Sequence, residues 1–180
     1  EPVPRLAVVG SDPTALAIAG LGAQAGFETT LIRPKGPEAP PPIPGIGYLR
    51  SEPAEALAQI GPDEWTAVAV ATHDLETDQA ALRAALPSPA GYVGLLGARA
   101  RLAERLARLR AAGAPEDAIA KLHAPIGLDL GGAKAPWEVA VSVIGEIVTL
   151  RQVRASGSTS TSPPASTAGA PGGRRSSASA

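Results

Sequence analysis

The densest set of reactive side chains in the sequence follows an apolar segment near its middle. Thr72, His73 and Asp74 come directly after that segment, and Asp78 follows four residues later. A hydroxyl, an imidazole and carboxylates at one turn could hold a metal, act as an acid–base pair or bind a polar heterocycle. Helix capping by Thr72 or Asp74 is the structural alternative, but it does not call for His73. We predict a ligand-binding role for this cluster, with Asp74 and Asp78 one turn apart on one face of a helix that begins near Asp74.

A second candidate site lies near the start of the chain, where the first apolar run ends in Gly10, Ser11 and Asp12. A dinucleotide-binding turn requires glycine at three positions, for the tight turn, for the approach of the pyrophosphate and for packing of helix on strand. Gly10 and Ala15 suit the first and third positions, but the carboxylate of Asp12 at the second would repel a pyrophosphate. In the alternative interpretation, Asp12 caps a helix that begins with Pro13.

Two further places carry features that suit an anion. Gly94 and Gly97 enclose the end of another apolar run, and Arg99 opens the helix that follows. Exposed N–H groups at a helix start favour anions, although tight packing of strand on helix explains the glycines equally well. Arg33 and Lys35 follow the second apolar run, where an NAD-binding domain would carry a carboxylate. These cations fit the 2′-phosphate of NADP or another phosphorylated ligand, or they belong to a solvated loop.

Alternating strands and helices must position these residues. The predicted strands are 5–9, 27–32, 46–49, 65–71 and 92–96, and the predicted helices are 13–25, 53–60, 74–86, 98–112 and 136–151. Prolines make 33–44 a loop, and glycines make 124–132 an irregular connection. Near-continuous apolar strands separated by helices indicate an α/β fold, with a doubly wound, mostly parallel sheet and helices on both faces, as in Rossmann-like domains. Such sheets bind ligands at the carboxyl ends of the strands, where the strand order reverses.

Composition excludes several functional classes. The 180 residues include no cysteine, which excludes disulfides, thiolate zinc sites and cysteine nucleophiles. The 16 basic and 17 acidic side chains give a net charge of −1, but all 17 acidic residues precede residue 150. Residues 1–150 therefore carry 12 basic and 17 acidic groups, a net charge of −5. An acidic domain argues against nucleic acid and against an anionic membrane surface as partners.

The length allows one domain, predicted for residues 1–154, and a tail over residues 155–180. The tail contains only Ala, Ser, Gly, Thr, Pro and Arg, and such side chains bury too little surface to offset the entropy of ordering, so we expect disorder. No run of roughly 18 apolar residues predicts a membrane span. No signal peptide is visible at the start, so the expected location is cytoplasmic. The broad apolar surface of 136–151 suits either the core or a homodimer surface.

Three segments together carry a family resemblance. They are Thr72-His73-Asp74 with Asp78, the run Tyr92–Arg99, and Pro125–Gly131 with the helix after it. Their order and spacing resemble the Rossmann-like C-terminal domain of the XdhC/CoxI family, the xanthine dehydrogenase accessory proteins, over residues 4–154. The resemblance implies a maturation factor that binds molybdenum cofactor (molybdopterin) and aids its insertion into the apoenzyme of a molybdenum hydroxylase, of the xanthine dehydrogenase or CO dehydrogenase type. It implies a cofactor-binding chaperone more than an enzyme, with no catalytic residue and no metal ligand.

The sequence departs from the family pattern at the site. Leu75 replaces a usual second histidine, Ser11-Asp12-Pro13 replaces a glycine-rich turn, and Arg33-Pro34-Lys35 replaces an acidic strand end. The usual N-terminal domain with its cysteine has no counterpart in this sequence. Two alternatives therefore stay open, an NAD(P)-binding oxidoreductase-like domain and a non-catalytic scaffold without a ligand site. The predicted cofactor-binding residues are Gly10, Ser11, Asp12, Thr72, His73, Asp74, Asp78, Gly94, Gly97 and Arg99.

Overall fold

The structure is a computed structural model that describes residues 2–158, with side chains described for residues 2–156. Within this part, a six-stranded, all-parallel sheet has the strand order β3-β2-β1-β4-β5-β6. The strands are β1 (Arg5–Val9), β2 (Glu28–Ile32), β3 (Ile46–Leu49), β4 (Thr66–Val70), β5 (Tyr92–Leu95) and β6 (Leu122–His123). The order reverses between β1 and β4, as the predicted doubly wound fold requires.

Helices cover both faces of the sheet. They are α1 (Pro13–Gln24), α2 (Pro53–Ile60), α3 (Leu75–Ala85), α4 (Arg99–Ala111), α5 (Glu116–Ile119) and α6 (Pro136–Ser158). One apolar core joins α1 and α6 to side chains such as Leu6 and Val8. The other core contains side chains of helices α2, α3, α4 and α5, packed on sheet residues such as Ala7 and Val9. Successive residues of β1 thus serve opposite cores, because side chains alternate along a strand.

Two glycines in α1 sit in different surroundings. A Cβ at Gly22 would overlap Leu6 Cδ2 and lie 3.2 Å from Thr29 Oγ1, so the helix approaches the sheet closely there. A Cβ at Gly20 would instead lie 3.7 Å from Ile43 and 3.7 Å from Trp137, at ordinary contact distance. Only Gly22 is therefore required by packing.

The register aligns the carboxyl ends of three strands. Val9, the last residue of β1, pairs with Ile32 of β2 on one side and with Val70 of β4 on the other. The chain leaves the sheet at the same level in all three strands, which brings the segments after β1, β2 and β4 to one edge. The buried, apolar sheet leaves this edge as the place where polar side chains can gather.

Most predicted elements are confirmed, with bounds that differ by zero to two residues at most ends. The sequence did not predict α5 and β6, which have four and two residues, and β6 ends at His123. Helix α6 continues to Ser158, past the predicted boundary at 154, and the tail predicted beyond 158 lies outside the described residues. Within the described part, no helix is both long enough and apolar enough to cross a membrane.

The two glycines of α1 give a matched test of the packing. Gly20→Ala should raise the free energy of unfolding by about 0.5–1 kcal/mol, because alanine is the better helix former and its methyl group fits. Gly22→Ala should lower it or leave it nearly unchanged, because overpacking costs about 1–3 kcal/mol and exceeds or cancels the same helical gain. Urea denaturation measures both values. Equal effects of the two substitutions would contradict the close approach of α1 to β1.

Candidate functional site

A polar cleft opens where the carboxyl ends of β1, β2 and β4 meet. Its volume is about 440 Å³, within the range of small-molecule sites. Three segments line it, and their residues are Gly10, Ser11 and Asp12 after β1, Arg33, Pro34, Lys35 and Gly36 after β2, and Thr72, His73, Asp74 and Thr77 after β4. Six of the ten predicted cofactor-binding residues therefore lie together in one cleft, at the reversal of strand order.

Asp12 connects the first turn to the β4 side of the cleft. Its Oδ1 accepts a hydrogen bond from the backbone N–H of Ala15 at 2.9 Å, and Pro13 occupies the first helical turn, which confirms the helix-capping interpretation. Its Oδ2 lies 2.7 Å from Nε2 of His73. The Asp12 side chain is largely buried, whereas the His73 side chain is 73% exposed. The imidazole therefore closes one side of the cleft while remaining open to solvent.

Asp74 is the last residue before α3 and faces the cleft from the other side. Its side chain is half-exposed, accepts a hydrogen bond from the Thr77 hydroxyl and lies 3.9 Å from Nζ of Lys35. The Thr77 hydroxyl, followed by backbone N–H groups of α3 and by Lys35, holds the pKa of Asp74 below its usual range. Asp74 is thus an ionised acceptor at neutral pH. Lys35 and Asp74 together bridge the ends of β2 and β4.

Asp78 does not share a face with Asp74, contrary to the prediction. Helix α3 begins at Leu75, so Asp74 stands outside the helix, and the Asp78 side chain is fully buried between α3 and α4. There it pairs with Arg105 at 3.1 Å and accepts a hydrogen bond from Thr72 Oγ1 at 2.6 Å. Burial raises the pKa of Asp78, which Thr72 and Arg105 partly oppose. Asp78 holds the β4–α3 turn from below rather than lining the cleft.

The predicted anion site after β5 is a packing site in this structure. A Cβ at Gly94 would lie 2.6 Å from Ile126, and a Cβ at Gly97 would overlap the guanidinium of Arg105. Arg105 also donates to the Leu96 carbonyl at 2.7 Å. Both glycines are thus explained by close packing, and Arg99 is an exposed residue at the start of α4. The structure does not bring Gly94, Gly97 and Arg99 into the cleft.

The β2 side of the cleft carries the cations that the sequence singled out. Nη2 of Arg33 donates to the Ser11 carbonyl at 3.3 Å, which ties the β2 segment to the first turn. Nε of Arg33 is buried and has no hydrogen-bond partner within the described structure. A buried N–H without a partner is unfavourable by about 1–3 kcal/mol, so a movement of the Arg33 side chain that gave this donor a partner would be favoured.

A second polar cluster lies beside β5, away from the cleft residues. Glu146 of α6 accepts hydrogen bonds from the Tyr92 hydroxyl and from the Gly127 N–H, the latter at 2.8 Å. Its other oxygen lies 3.3 Å from Nδ1 of His123, whose ring stacks on Tyr92 at 4.5 Å. Burial and Glu146 raise the pKa of Tyr92. The cluster fastens the connection after β6 to α6, which gives His123 a structural role.

The cleft groups several hydrogen-bonding side chains without a set of metal ligands among the described residues. Within the described residues, no group of three or more His, Asp or Glu side chains is placed to hold a metal ion. The cleft is lined by two carboxylates, three hydroxyls and one imidazole, with two cations on its β2 side. A planar heterocycle with several N–H donors and an attached anion matches these groups.

Comparison with known protein sequences identifies a family and three relatives. The profile described as the XdhC Rossmann domain matches residues 6–147. An uncharacterized protein, YqeB of Escherichia coli K12, is 34% identical over 82% of this chain and 27% of its own length. A protein of Bacillus subtilis 168, named as a probable xanthine dehydrogenase subunit, is 29% identical over 84% and 44%. The molybdenum cofactor insertion chaperone PaoD of E. coli K12 is 28% identical over 84% and 41%.

A solved structure confirms the architecture. The crystal structure of a xanthine dehydrogenase from Bacillus halodurans matches with a TM-score of 0.75 at 26% identity, covering 90% of this chain and 48% of that one. The chain spans between 27% and 48% of the length of these relatives. The shared region is thus one Rossmann-like domain of proteins about two to four times as long.

The buried pair beneath the turn can be tested by removing one partner. Asp78→Ala should lower the free energy of unfolding by about 3–5 kcal/mol, because it leaves the Arg105 charge buried without its counterion. The double substitution Asp78→Leu with Arg105→Met should be markedly less destabilising, because no charge is left unpaired. Denaturant unfolding of both variants measures this. A loss below about 1 kcal/mol in Asp78→Ala would contradict the placement of Asp78 in a buried pair.

The Asp74 cap gives a prediction on pH. The pKa of Asp74 is lower in the folded than in the unfolded protein, so ionised Asp74 stabilises the fold at pH values above its unfolded pKa of about 4. This stabilisation is lost as the pH falls through the pKa of the folded protein. Thr77→Val removes the largest cause, so the pKa of Asp74 should rise toward its usual range and the stability that is lost at acid pH should become smaller. NMR titration of the Asp74 carboxyl carbon measures the change. Thr77→Ser keeps the hydroxyl and should leave the titration near that of the unchanged protein.

Proposed function

The chain belongs to the XdhC Rossmann-domain family, and from that premise we propose that it binds the pterin of molybdenum cofactor and aids maturation of a molybdenum hydroxylase. The proposed ligand site is the cleft between the ends of β1, β2 and β4. The proposed partner is the apoenzyme of a hydroxylase of the xanthine dehydrogenase or CO dehydrogenase type, in the cytoplasm. In this proposal the protein is a chaperone that holds a cargo and performs no turnover of its own.

One observation carries the proposal, namely the complementarity of the cleft to a pterin. The pyrimidinone edge of a pterin presents adjacent amide and amino N–H donors, which an ionised carboxylate accepts as a pair. Asp74 supplies such a carboxylate, half-exposed in the cleft and held ionised by Thr77. Ser11 and His73 add groups that both donate and accept, whereas the Thr72 hydroxyl is used within the turn, donating to Asp78 and accepting from the Asp74 N–H. The donor set thus fits the ring without a metal ligand from this chain.

The relatives support the maturation role. One is named a molybdenum cofactor insertion chaperone, and another is named a probable xanthine dehydrogenase subunit. The identities of 28% and 29% extend over a region shorter than half of either relative. The proposal for this chain is therefore limited to the step that the cleft can perform, which is holding and presenting the cofactor. The molybdenum centre supplies hydroxylation chemistry only in the mature hydroxylase.

The residues of the cleft would bind the ligand by giving up a hydrogen bond within the protein and forming one to the ligand. The Asp12–His73 contact spans the β1 and β4 sides, and the imidazole is mostly exposed. A ligand that reaches His73 can take the place of Asp12 Oδ2 as its hydrogen-bond partner, because the imidazole is open to solvent. Asp12 would keep its hydrogen bond to the Ala15 N–H and hold α1 in place. His73 would thereby orient the ligand while the turn stays fixed.

An NADP-binding domain is the second candidate function. Arg33 and Lys35 at the end of β2 favour it, since a 2′-phosphate would lie there. The first turn disfavours it, because Asp12 and Pro13 replace the donors that normally hold a pyrophosphate. The first turn is the stronger evidence against NADP, because the pyrophosphate that it would have to bind is common to NAD and NADP.

The proposal is tested by ligand binding and by maturation. His73→Ala should weaken binding of oxidised, fluorescent molybdopterin about tenfold or more, because a hydrogen bond to a charged or polar ring edge is lost. The same variant should reduce activation of the apo hydroxylase in a reconstitution assay. Glu76→Gln is the matched control, because Glu76 is exposed on α3 and faces Arg108 of α4.

Three outcomes separate the candidates. Retained pterin binding by the unchanged protein, with loss in His73→Ala and not in Glu76→Gln, supports the proposal. Stabilisation by NADP without any pterin binding would favour the oxidoreductase-like domain. Association with the apo hydroxylase and full activation by His73→Ala would indicate a scaffold whose cleft is not used.

A further inference from the structure

Three of the four first-turn positions of α1 offer no backbone N–H to an anion. Pro13 has no N–H group, the Ala15 N–H donates to Asp12 Oδ1, and the Leu16 N–H donates to the Asp12 carbonyl. The Asp12 carboxylate itself stands at the positive end of the helix. The position at which Rossmann domains usually hold a pyrophosphate is thus occupied by a side chain of the protein.

A carboxylate also stands at the other helix N-terminus at the cleft. Asp74 precedes α3, and its carboxylate accepts from the Thr77 hydroxyl beside the first turn, without a capping hydrogen bond to the α3 backbone. Each of the two helix dipoles therefore already has an internal carboxylate as its counter-charge. A further anion at either helix would meet electrostatic repulsion from these carboxylates.

The β2 side of the cleft differs from the two helix N-termini in the sign of its charge and in its unused hydrogen-bonding capacity. Among the described residues, Arg33 has no carboxylate within ion-pair distance, and its buried Nε has no hydrogen-bond partner. The Lys35 side chain is 86% exposed, and its 3.9 Å distance from Asp74 is the longest ion-pair contact found among those residues. Arg50, after β3, donates to the Gly36 carbonyl at 3.1 Å and adds a third positive charge behind this segment.

We propose that the β2 side of the cleft, at Arg33 and Lys35, is a subsite for a phosphomonoester dianion. The inference rests on the proposed function, because it assigns the two ends of the ligand to opposite sides of the same cleft. The phosphate binds the two cations, and the ring faces the carboxylate of Asp74. Guanidinium and phosphate form paired, charge-assisted hydrogen bonds, and a lysine supplies a mobile second cation.

Two sources present this chemistry. A pterin cofactor carries a terminal phosphate, and 2′-phosphoadenosine carries one at the position where NADP-binding domains use the end of β2. The test therefore measures four probes with the full chain: the oxidised pterin derivative of molybdopterin with and without its phosphate, 2′-AMP and adenosine. Titration calorimetry gives each affinity in the unchanged protein and in three variants.

The variants are Arg33→Met, Lys35→Met and Arg83→Met. Each of the first two should weaken binding of the phosphorylated probe about tenfold and leave the probe without phosphate nearly unchanged. Arg83→Met is the matched control, an exposed cation near the end of α3. Because Arg33 also holds the Ser11 carbonyl, a thermal melt accompanies each variant, and the exposed Lys35 keeps the test independent of folding.

The outcomes distinguish the subsite from the proposed function. Tighter binding of the phosphorylated pterin, with the preference lost in both cleft variants only, supports the subsite. Equal binding of the pterin with and without phosphate overturns the subsite and leaves the proposed function intact. A preference for 2′-AMP over adenosine that depends on Arg33 and Lys35, without pterin binding, supports the subsite and overturns the proposed function. A preference that persists in both variants, or no binding of any probe, overturns the subsite.

Discussion

The cleft depends on the absence of a side chain at Gly10. A Cβ at this position would overlap the Ala71 carbonyl oxygen and lie 2.7 Å from Ala15 Cβ, so the end of β1, the end of β4 and the start of α1 meet within one residue. This close approach is what lets Asp12 reach His73 across the point where strand order reverses. The glycine is required here by contact within the protein, and the small Ala15 completes the same contact.

The all-parallel sheet determines how the charges are distributed. Its central strands are buried on both faces, so polar groups collect where the chain leaves the sheet. At that edge the carboxylates of Asp12 and Asp74 take the helix N-termini, and the cations follow β2, which has a proline-rich loop instead of a helix. The two sides of the cleft therefore carry opposite charge: carboxylate acceptors lie toward the helices, and cations lie toward the loop.

The sequence predicted the fold well because its strands are near-continuous apolar runs. It also predicted that the segments after β1 and β4 would share a site, since parallel strands end at a common edge. Asp78 could not be assigned correctly, because its burial depends on Arg105 from a helix later in the chain. The roles of Gly94 and Gly97 likewise depend on Ile126 and Arg105. Strand β6 has only two residues, which is too short to show the alternation of side chains by which a strand is predicted.

The strength of the contacts in the cleft bears on what kind of ligand handling the domain suits. Both bridges across it, His73 with Asp12 and Lys35 with Asp74, involve a mostly exposed partner, and such pairs contribute about 0–1 kcal/mol. The turn below them is held separately by the buried pair of Asp78 and Arg105 and by the Asp12 cap. A ligand can thus replace the weak upper contacts without disturbing the strong lower ones. A rigid turn with easily exchanged upper contacts favours reversible binding and release, which is the property that a carrier of a cofactor requires and a permanent cofactor site does not.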